Sequence, residues 1–319
     1  MTMLRRLFGA ALAVLAGTAS AAEPALPERP ITLLHAYSPG SSSAAVLRAL
    51  ADSASKSLGR KIVVEDRPGA GGALAPTIVH KTGRTDGTLL TQMPQPILRI
   101  PHIQKVEFDV LADFTWIIRV VDYTYALIVR NESPYRNIND FVRDAKANPG
   151  KLTYASSGVG VTMHMTMEEL AQRAGLQLVH VPIRVSGDML NALIGGHIDV
   201  SASSVHWAPL VDAGKIRVIA VFGANRLKRW PDLPTAKEQG YDVNAGSSYG
   251  IGGPRGMDPR TVKALHDAFR RALDDPEFQK TVERYDNVLS YLNTEDYTRW
   301  ARAQYAAEKT VVEKFGLKP

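Results

Sequence analysis

Cysteine is absent from the 319-residue sequence. Disulfide bonds and thiolate metal ligands are therefore excluded, and the fold must rely on its apolar core. Long hydrophobic runs are also missing. The apolar stretch 7–16 is much shorter than the roughly 20 residues that span a bilayer, and no later run reaches about 18.

Basic runs are missing as well. The 38 lysines and arginines exceed the 32 acidic residues only modestly, giving a net charge of +6, and they are scattered without interleaved aromatic residues. This scattered pattern gives little support to nucleic-acid binding. A mild positive excess still favours the attraction of small anions.

The amino terminus has the pattern of a secretory signal. Arg5 and Arg6 precede the apolar stretch 7–16, and the small residues around Ala21 resemble a cleavage site. Because the stretch is too short for a membrane anchor, we interpret 1–21 as a signal peptide cleaved near Ala21. The prediction is a periplasmic protein.

Short strand-like segments alternate with helical patterns along the rest of the chain. The first set contains "ITLLHA", a helix at 44–58, "KIVVED" and "TLLTQ", and the second begins with "YALIVR" and continues to "IRVIAVF". Two helical stretches follow, at 259–285 and 294–314. Alternation of this kind predicts an α/β fold with parallel sheets.

The two sets predict two lobes. The tail helices have no sheet of their own, so we expect them to pack on the first set. Lobe 1 is then 22–123 plus 248–319, and lobe 2 is 124–247, joined by crossover strands. Ligands of open α/β sheets bind at the carboxyl ends of strands, which places a site in the cleft.

Two loops repeat one arrangement of strand, turn and helix. The first is "YSPGSSS" at 37–43, and the second is "SSGVG" at 156–160, whose helix opens near Thr162. Helix N-termini present free N–H groups and partial positive charge, which favour an anion. The alternative is that these serines and threonines only cap helices.

Three other motifs resemble known functional patterns but lack the neighbouring residues or elements that those functions require. Gly69, Ala70, Gly71 and Gly72 suggest a dinucleotide loop, but Leu74 stands where the third glycine is required. The stretch 246–250 matches the nucleophile elbow G-x-S-x-G without the helix that must follow it.

His164 and Glu168, four residues apart, supply only two ligands, which is too few for a metal site. We therefore predict no cofactor, no metal and no catalysis, and serine hydrolysis is the third-ranked alternative.

Several longer runs resemble the Bug family, the TctC-like substrate-binding proteins of tripartite tricarboxylate transport. They include "RPITLLHAYSPGSSSAAVLRALADSASKSLGRKIVVEDRPGAGGALAP", "PGKLTYASSGVGVTMHMTMEEL" and "AGKIRVIAVFGANRLKRWPDLPTAKEQGY". The resemblance implies a two-lobed periplasmic-binding-protein (Venus flytrap) fold that captures a small organic carboxylate without catalysis. The implied partners are membrane permease components, and a monomer is expected.

The resemblance also implies a set of ligand-binding positions. They are Tyr37, Ser38, Pro39, Gly40, Ser41, Ser42, Ser43, Gly69, Ala70, Gly71, Gly72, Ser156, Ser157, Gly158, Thr162, His164 and Asp199. Arg184 is a further candidate partner of a carboxylate. The three serines 41–43 are expected to donate O–H hydrogen bonds to the ligand.

Departures from the family pattern bear on the ligand. Ser41 replaces a glycine, and Ala44 and Ala45 leave no acidic residue where the family commonly has one. A ligand ammonium group then lacks a partner, so plain carboxylic acids are expected ahead of amino acids. Tyr37, Trp207 and Tyr249 could stack on an aromatic acid. A receptor that reports to a sensor kinase remains the alternative function.

Overall fold

The computed structural model describes residues 26–317. The predicted signal peptide lies outside these residues. Within them, the helices are either too short or too polar to cross a membrane.

The chain begins with alternating strands and helices, as the pattern predicts. These elements are β1 (Ile31–His35), α1 (Ser42–Leu58), β2 (Ile62–Asp66), α2 (Leu74–Thr82), β3 (Leu89–Pro94) and the long strand β4 (Phe114–Arg130). The second set follows: α3 (Ile138–Ala147), β5 (Thr153–Ser156), α4 (Thr162–Ala174), β6 (Val179–Pro182), α5 (Ser186–Ile194), β7 (Val200–Ser204), α6 (Ala208–Asp212) and β8 (Ile216–Val221).

The chain then returns through β9 and a helical tail. Its elements are β9 (Gly246–Pro254), α7 (Pro259–Ala272), α8 (Pro276–Arg284), β10 (Val288–Leu292) and α9 (Thr294–Lys314). The single helix predicted over 259–285 is therefore two. Asp275 caps the second one by accepting from the Glu277 N–H, and Pro276 occupies its first position, where the missing N–H costs nothing.

Strand β4 joins two groups of strands. Up to Thr124 it pairs antiparallel with β9 and β10, and β9 continues through β3 to the parallel strands β1 and β2. From Tyr125 onward it pairs with β7 and β8, and β7 continues to the parallel strands β5 and β6. We call the first group, with its helices, the first lobe and the other the second lobe.

The tail helices pack onto the first lobe. Helices α7 and α8 lie against α1, and α9 lies against β4. Leu47 and Leu50 of α1 share one buried apolar cluster with Leu265 and Phe269 of α7, all four without solvent exposure. This burial holds α1 against the tail helices.

The carboxyl ends of β1 and β5 lead into the two serine-rich loops, which face each other. Gly160 of the second loop has φ of +78° and approaches the first lobe so closely that a Cβ there would lie 2.5 Å from Ile103 Cδ1. Only glycine fits this position. The loops therefore meet across a narrow space between the lobes.

Candidate functional site

A cavity of about 420 Å³ lies between the lobes, bounded by the starts of α1 and α4. Most of the residues that the sequence predicted for binding line it. They are Tyr37, Ser38, Ser41, Ser42, Ser43, Gly69, Ala70, Gly71, Gly72, Ser157, Gly158, Thr162 and Arg184. The two loops and the glycine loop before α2 thus come together at one site.

Five predicted residues do not line the cavity. Pro39 and Gly40 form an exposed turn. The Ser156 hydroxyl lies 2.7 Å from His180 Nε2, and His164 Nδ1 accepts from the Gly160 N–H at 3.3 Å. These two residues support the second loop from behind.

Asp199 is the fifth, and the cavity geometry corrects its assignment as a ligand contact. Its Oδ2 accepts from the backbone N–H and the hydroxyl of Thr153, at 2.7 and 2.8 Å. Thr153 begins β5, whereas the cavity lies beyond the other end of that strand. The carboxylate of Asp199 therefore anchors a strand start.

The first helix start has a side-chain cap backed by a hydrogen-bond chain. Ser41 Oγ accepts from the Ala44 N–H at 3.2 Å and lies 3.1 Å from Ser43 Oγ. Ser43 Oγ lies 2.9 Å from His35 Nε2, and His35 Nδ1 lies 2.8 Å from Asp66 Oδ1. Burial outweighs the neighbouring carboxylate and lowers the pKa of His35 to about 4, so the ring is neutral at neutral pH.

The second helix start is not capped by a side chain. Val161 occupies the N-cap position of α4, so no side-chain oxygen accepts from the first turn. His164 and His180 lie behind it with ring centroids 4.5 Å apart. Burial lowers the pKa of His164 to about 4 and that of His180 in the same direction, so these rings bring no positive charge.

Several contacts join the lobes around the cavity. The Ser42 and Ser204 hydroxyls lie 3.1 Å apart, and Ser38 Oγ accepts from the Ser186 N–H at 3.4 Å. On one side of the cavity, buried Arg99 donates to the Gly160 carbonyl at 3.0 Å. The structure therefore has the lobes in contact.

Sequence reasoning missed the residues that the crossover strand and the second lobe contribute. Tyr123 and Tyr125 of β4 line the cavity together with Ser204 and His206. His206 Nε2 is buried without a hydrogen-bond partner, and burial lowers the pKa of His206 to about 4. The sequence signal that could have identified the tyrosines is their alternate spacing, at 123 and 125, in the strand that crosses between the lobes.

Two aromatic residues predicted as candidates for stacking belong to the core. Trp207 is fully buried, donates to the Ser203 carbonyl and packs on Trp230. Tyr249 is also fully buried, within β9. Neither ring lines the cavity.

The rejected motifs have ordinary structural roles. Ser248 lies inside β9, paired with Asp122 of β4 and buried, so it forms no nucleophile elbow. Glu168 accepts from the Tyr154 hydroxyl and His164 from Gly160, so these two side chains do not share a ligand. Among residues 26–317, no three His, Asp or Glu side chains are grouped to hold a metal ion.

The cavity lining favours a small anion. Arg184 is its one formally charged side chain, and no aspartate or glutamate of the described chain lines it. The Ser157 hydroxyl and the start of α4 add donors to this surface. An unopposed cation and free N–H groups stabilise a carboxylate, whereas a ligand cation would lack a countercharge.

Comparisons with known proteins agree with this geometry. A sequence model described as the tripartite tricarboxylate transporter family receptor matches residues 46–317. A UPF0065 protein encoded in the gbd 5' region of Cupriavidus necator is 39% identical, and the match covers 99% of each chain.

Two solved structures share the fold closely. The periplasmic binding protein BugD is 27% identical with a TM-score of 0.87, covering 92% of this chain and 99% of that one. Rpa4515 of R. palustris, solved with adipate, is 25% identical with the same TM-score and the same coverage. The predicted two-lobed periplasmic-binding-protein fold and the predicted Bug resemblance are confirmed. The chain belongs to the tripartite tricarboxylate transporter receptor family, whose members are solute-binding receptors.

Proposed function

We propose that this protein is an extracytoplasmic receptor that binds a small organic carboxylate in the cavity between its lobes and delivers it to a tripartite tricarboxylate-type permease. The observation that carries the proposal is the lining of the cavity. It combines Arg184, neutral hydroxyls and an uncapped helix start, without an acidic side chain. Adipate in the related Rpa4515 structure supports the same ligand class.

The proposed carboxylate position is the start of α4, beside Ser157 and Thr162. The N–H groups of the first helical turn have no side-chain acceptor there, and the helix dipole adds partial positive charge. Arg184 lines the same cavity. One carboxylate can accept from several of these donors at once.

Binding is proposed to hold the lobes closed. The lobes of this proposal are 22–123 plus 248–319 and 124–247, and they move about the crossover strands β4 and β9. Ligand contacts to both lobes favour the closed arrangement by hinge closure. Small-angle scattering should show a smaller radius of gyration when the ligand-free protein is saturated with its ligand.

The proposal places the mature chain in the periplasm, starting near Ala22. The intact mass of protein from a periplasmic extract tests this directly. Retention of Arg5 and Arg6 in that product would contradict the predicted cleavage.

A ligand screen tests the function. Native mass spectrometry of freshly purified protein should detect a retained acid, and a melting screen of mono- and dicarboxylates should identify stabilising ligands. A ligand at a hundred times its Kd stabilises the fold by about 2.7 kcal/mol.

Paired variants then locate the site. Ser157→Ala and Arg184→Gln should each weaken the best ligand about tenfold, because each removes a donor to a charged acceptor. Arg143→Gln, which removes an exposed arginine on α3, should leave its affinity unchanged. Failure of every carboxylate to bind would refute the proposal.

A further inference from the structure

Three side chains behind the first serine-rich loop form a hydrogen-bonded line that ends at the cavity. His35 is the last residue of β1, and the register of β1 on β2 places it directly beside Asp66. His35 Nδ1 lies 2.8 Å from Asp66 Oδ1, and His35 Nε2 lies 2.9 Å from Ser43 Oγ. These contacts have the order and spacing of a Ser-His-Asp triad, which is recognised by geometry and not by sequence position.

The hydrogen positions in this line also match a triad. Asp66 Oδ2 accepts from Arg48 at 2.5 Å, and an ion-paired carboxylate can only accept, so His35 carries its ring hydrogen on Nδ1. Burial lowers the pKa of His35 to about 4, so the ring is neutral at pH 7. Its Nε2 therefore has a lone pair, to which the Ser43 hydroxyl donates.

Ser43 is the member of the line that a small molecule in the cavity can reach. Its side chain lines the cavity, whereas His35 is fully buried behind it. The cap Ser41 accepts from the Ala44 N–H, and in the described part of the chain the N–H groups of Ser42 and Ser43 have no acceptor. Free N–H groups beside a nucleophile are the donors that stabilise the oxyanion formed during acyl transfer.

We propose that Ser43 is a nucleophile that takes an acyl group from a carboxylic ester in the cavity, and that the protein hydrolyses such esters. Ser43 Oγ forms a bond to the carbonyl carbon of the ester as its proton passes to His35 Nε2. The bond from that carbon to the alcohol oxygen then breaks, and the alcohol leaves with the proton. Water, activated by the same nitrogen, splits the Ser43 ester, releases the carboxylic acid and restores the hydroxyl.

This activity goes beyond the proposed receptor function and does not depend on it. It is assigned to Ser43 and not to Ser248 of the rejected motif at 246–250. The product of the reaction is a carboxylate, which is the class of ligand that the cavity lining favours. Burial disfavours the positively charged imidazole that forms during the attack, so we expect slow turnover.

Labelling with a fluorophosphonate tests for the nucleophile. The reagent transfers its phosphonyl group to an activated serine and releases fluoride, and peptide mass spectrometry locates the label. We expect the label on Ser43. Ser53 of the same helix is the internal comparison, because it is also 6% exposed but donates to Asp275 and not to a histidine, and it should stay unlabelled. A wild-type protein without a label on Ser43 would overturn the inference.

Release of 4-nitrophenol from 4-nitrophenyl acetate and 4-nitrophenyl butyrate at pH 7.5 measures the hydrolysis. Ser43→Ala should lower kcat/KM about a hundredfold, because it removes the nucleophile. Ser53→Ala, which removes an equally buried hydroxyl of α1, should keep kcat/KM within twofold of the wild type. Equal hydrolysis by the wild type and Ser43→Ala would contradict the assignment of Ser43.

Asp66 is a positioning residue that acts through His35. An asparagine has one acceptor, which Arg48 requires, so its amide N–H faces His35 Nδ1 and moves the ring hydrogen to Nε2. That nitrogen can then no longer take the proton of Ser43. Asp66→Asn should lower the maximal rate of fluorophosphonate labelling about a hundredfold and leave the half-saturating reagent concentration within twofold. A merely structural role would instead raise that concentration.

Asp275→Asn is the matched control. Asp275 pairs with Lys56 away from the cavity, and its side chain is as exposed as that of Asp66, 18% in both cases. The control removes the same charge and should keep the wild-type labelling rate. Equal labelling rates in the wild type, Asp66→Asn and Asp275→Asn would overturn the inference, while carboxylate binding, measured separately, would still decide the receptor function.

Discussion

The starts of α1 and α4 follow the same pattern of strand, serine-rich loop and helix, but they differ in what occupies their polar groups. The cap of α1 is Ser41, which accepts from its own helix, and the Ser43 hydroxyl beside it is hydrogen-bonded to His35. The cap position of α4 is Val161, which accepts nothing through its side chain. Similar sequences therefore give one helix start with a side-chain cap and one without.

The loops also differ in what supports them. The first loop is held within its own lobe through Asp66, at the end of the neighbouring strand β2. The second loop receives a hydrogen bond from the other lobe, where Arg99 reaches the Gly160 carbonyl. Both loops touch the other lobe, the first through Ser38 and Ser42, but the buried chain behind the first loop lies within its own lobe, whereas Arg99 supports the second loop from the other lobe.

The largest expected effect comes from breaking the support of the second loop. Arg99 and Glu308 form an ion pair of 2.5 Å whose side chains are 6% and 1% exposed. Glu308→Gln leaves the Arg99 charge buried without a countercharge and should lower the free energy of unfolding by about 3 kcal/mol. Urea denaturation measures this.

Glu313→Gln is the control, since it changes an exposed glutamate of the same helix and should cost under about 0.5 kcal/mol. A loss below 1 kcal/mol for Glu308→Gln would show that this ion pair does not secure the loop.

The second prediction places a side-chain acceptor at the uncapped start of α4. In Val161→Asp, a carboxylate at the N-cap accepts from the first turn of α4 and repels the ligand. The affinity for the best carboxylate should fall about a hundredfold. Val161→Ala, which removes a similar apolar volume without adding an acceptor, should retain affinity within about threefold. Equal losses in both variants would mean that packing, not the free N–H groups, controls binding.

The sequence predicts both helix starts because serine, threonine and glycine runs between a strand and a helix are local signals. The hydrogen bonds behind these helix starts are not local. His35 and Asp66 become neighbours only through the register of β1 on β2. Arg99 and Glu308 lie 209 residues apart, and a single sequence gives no pattern that joins them.

The sequence is equally unable to predict which aromatic side chains face the cavity. Trp207 and Tyr249 could equally have faced a ligand or a core, and burial against neighbouring elements decides for the core. Tyr123 and Tyr125 reach the cavity because β4 passes from one lobe to the other at that point. Such outcomes depend on strand pairing and are set by tertiary structure.

The third prediction concerns pH and compares the histidines behind the two loops. Burial lowers the pKa of His35 and His164 from 6.5 to about 4. Between these values the unfolded chain binds more protons, so stability falls as the pH drops below about 6.5. At pH 5.5 the loss is about 1 kcal/mol for each ring.

Melting at pH 7.5 and 5.5 checks this. In His164→Asn, the asparagine oxygen can still accept from the Gly160 N–H, and the drop in Tm should be smaller than in the wild type. His197→Asn changes an exposed histidine and should leave the drop unchanged. An identical drop in all three proteins would contradict a neutral, buried His164.

The smallest effect separates lobe closure from ligand contact at Ser42. Its hydroxyl lies 3.1 Å from that of Ser204 in the other lobe, and one neutral hydrogen bond contributes about 1 kcal/mol. If the pair acts by holding the lobes together, Ser42→Ala and Ser204→Ala should each weaken the best ligand about threefold to fivefold. The double variant should then bind the ligand no more weakly than either single variant, because both changes remove the same hydrogen bond.

If Ser42 instead donates to the ligand, Ser42→Ala should lower the affinity more than tenfold while Ser204→Ala has little effect. Calorimetry on the three variants distinguishes these results, and additive losses would mean that the two hydroxyls act independently of their mutual hydrogen bond.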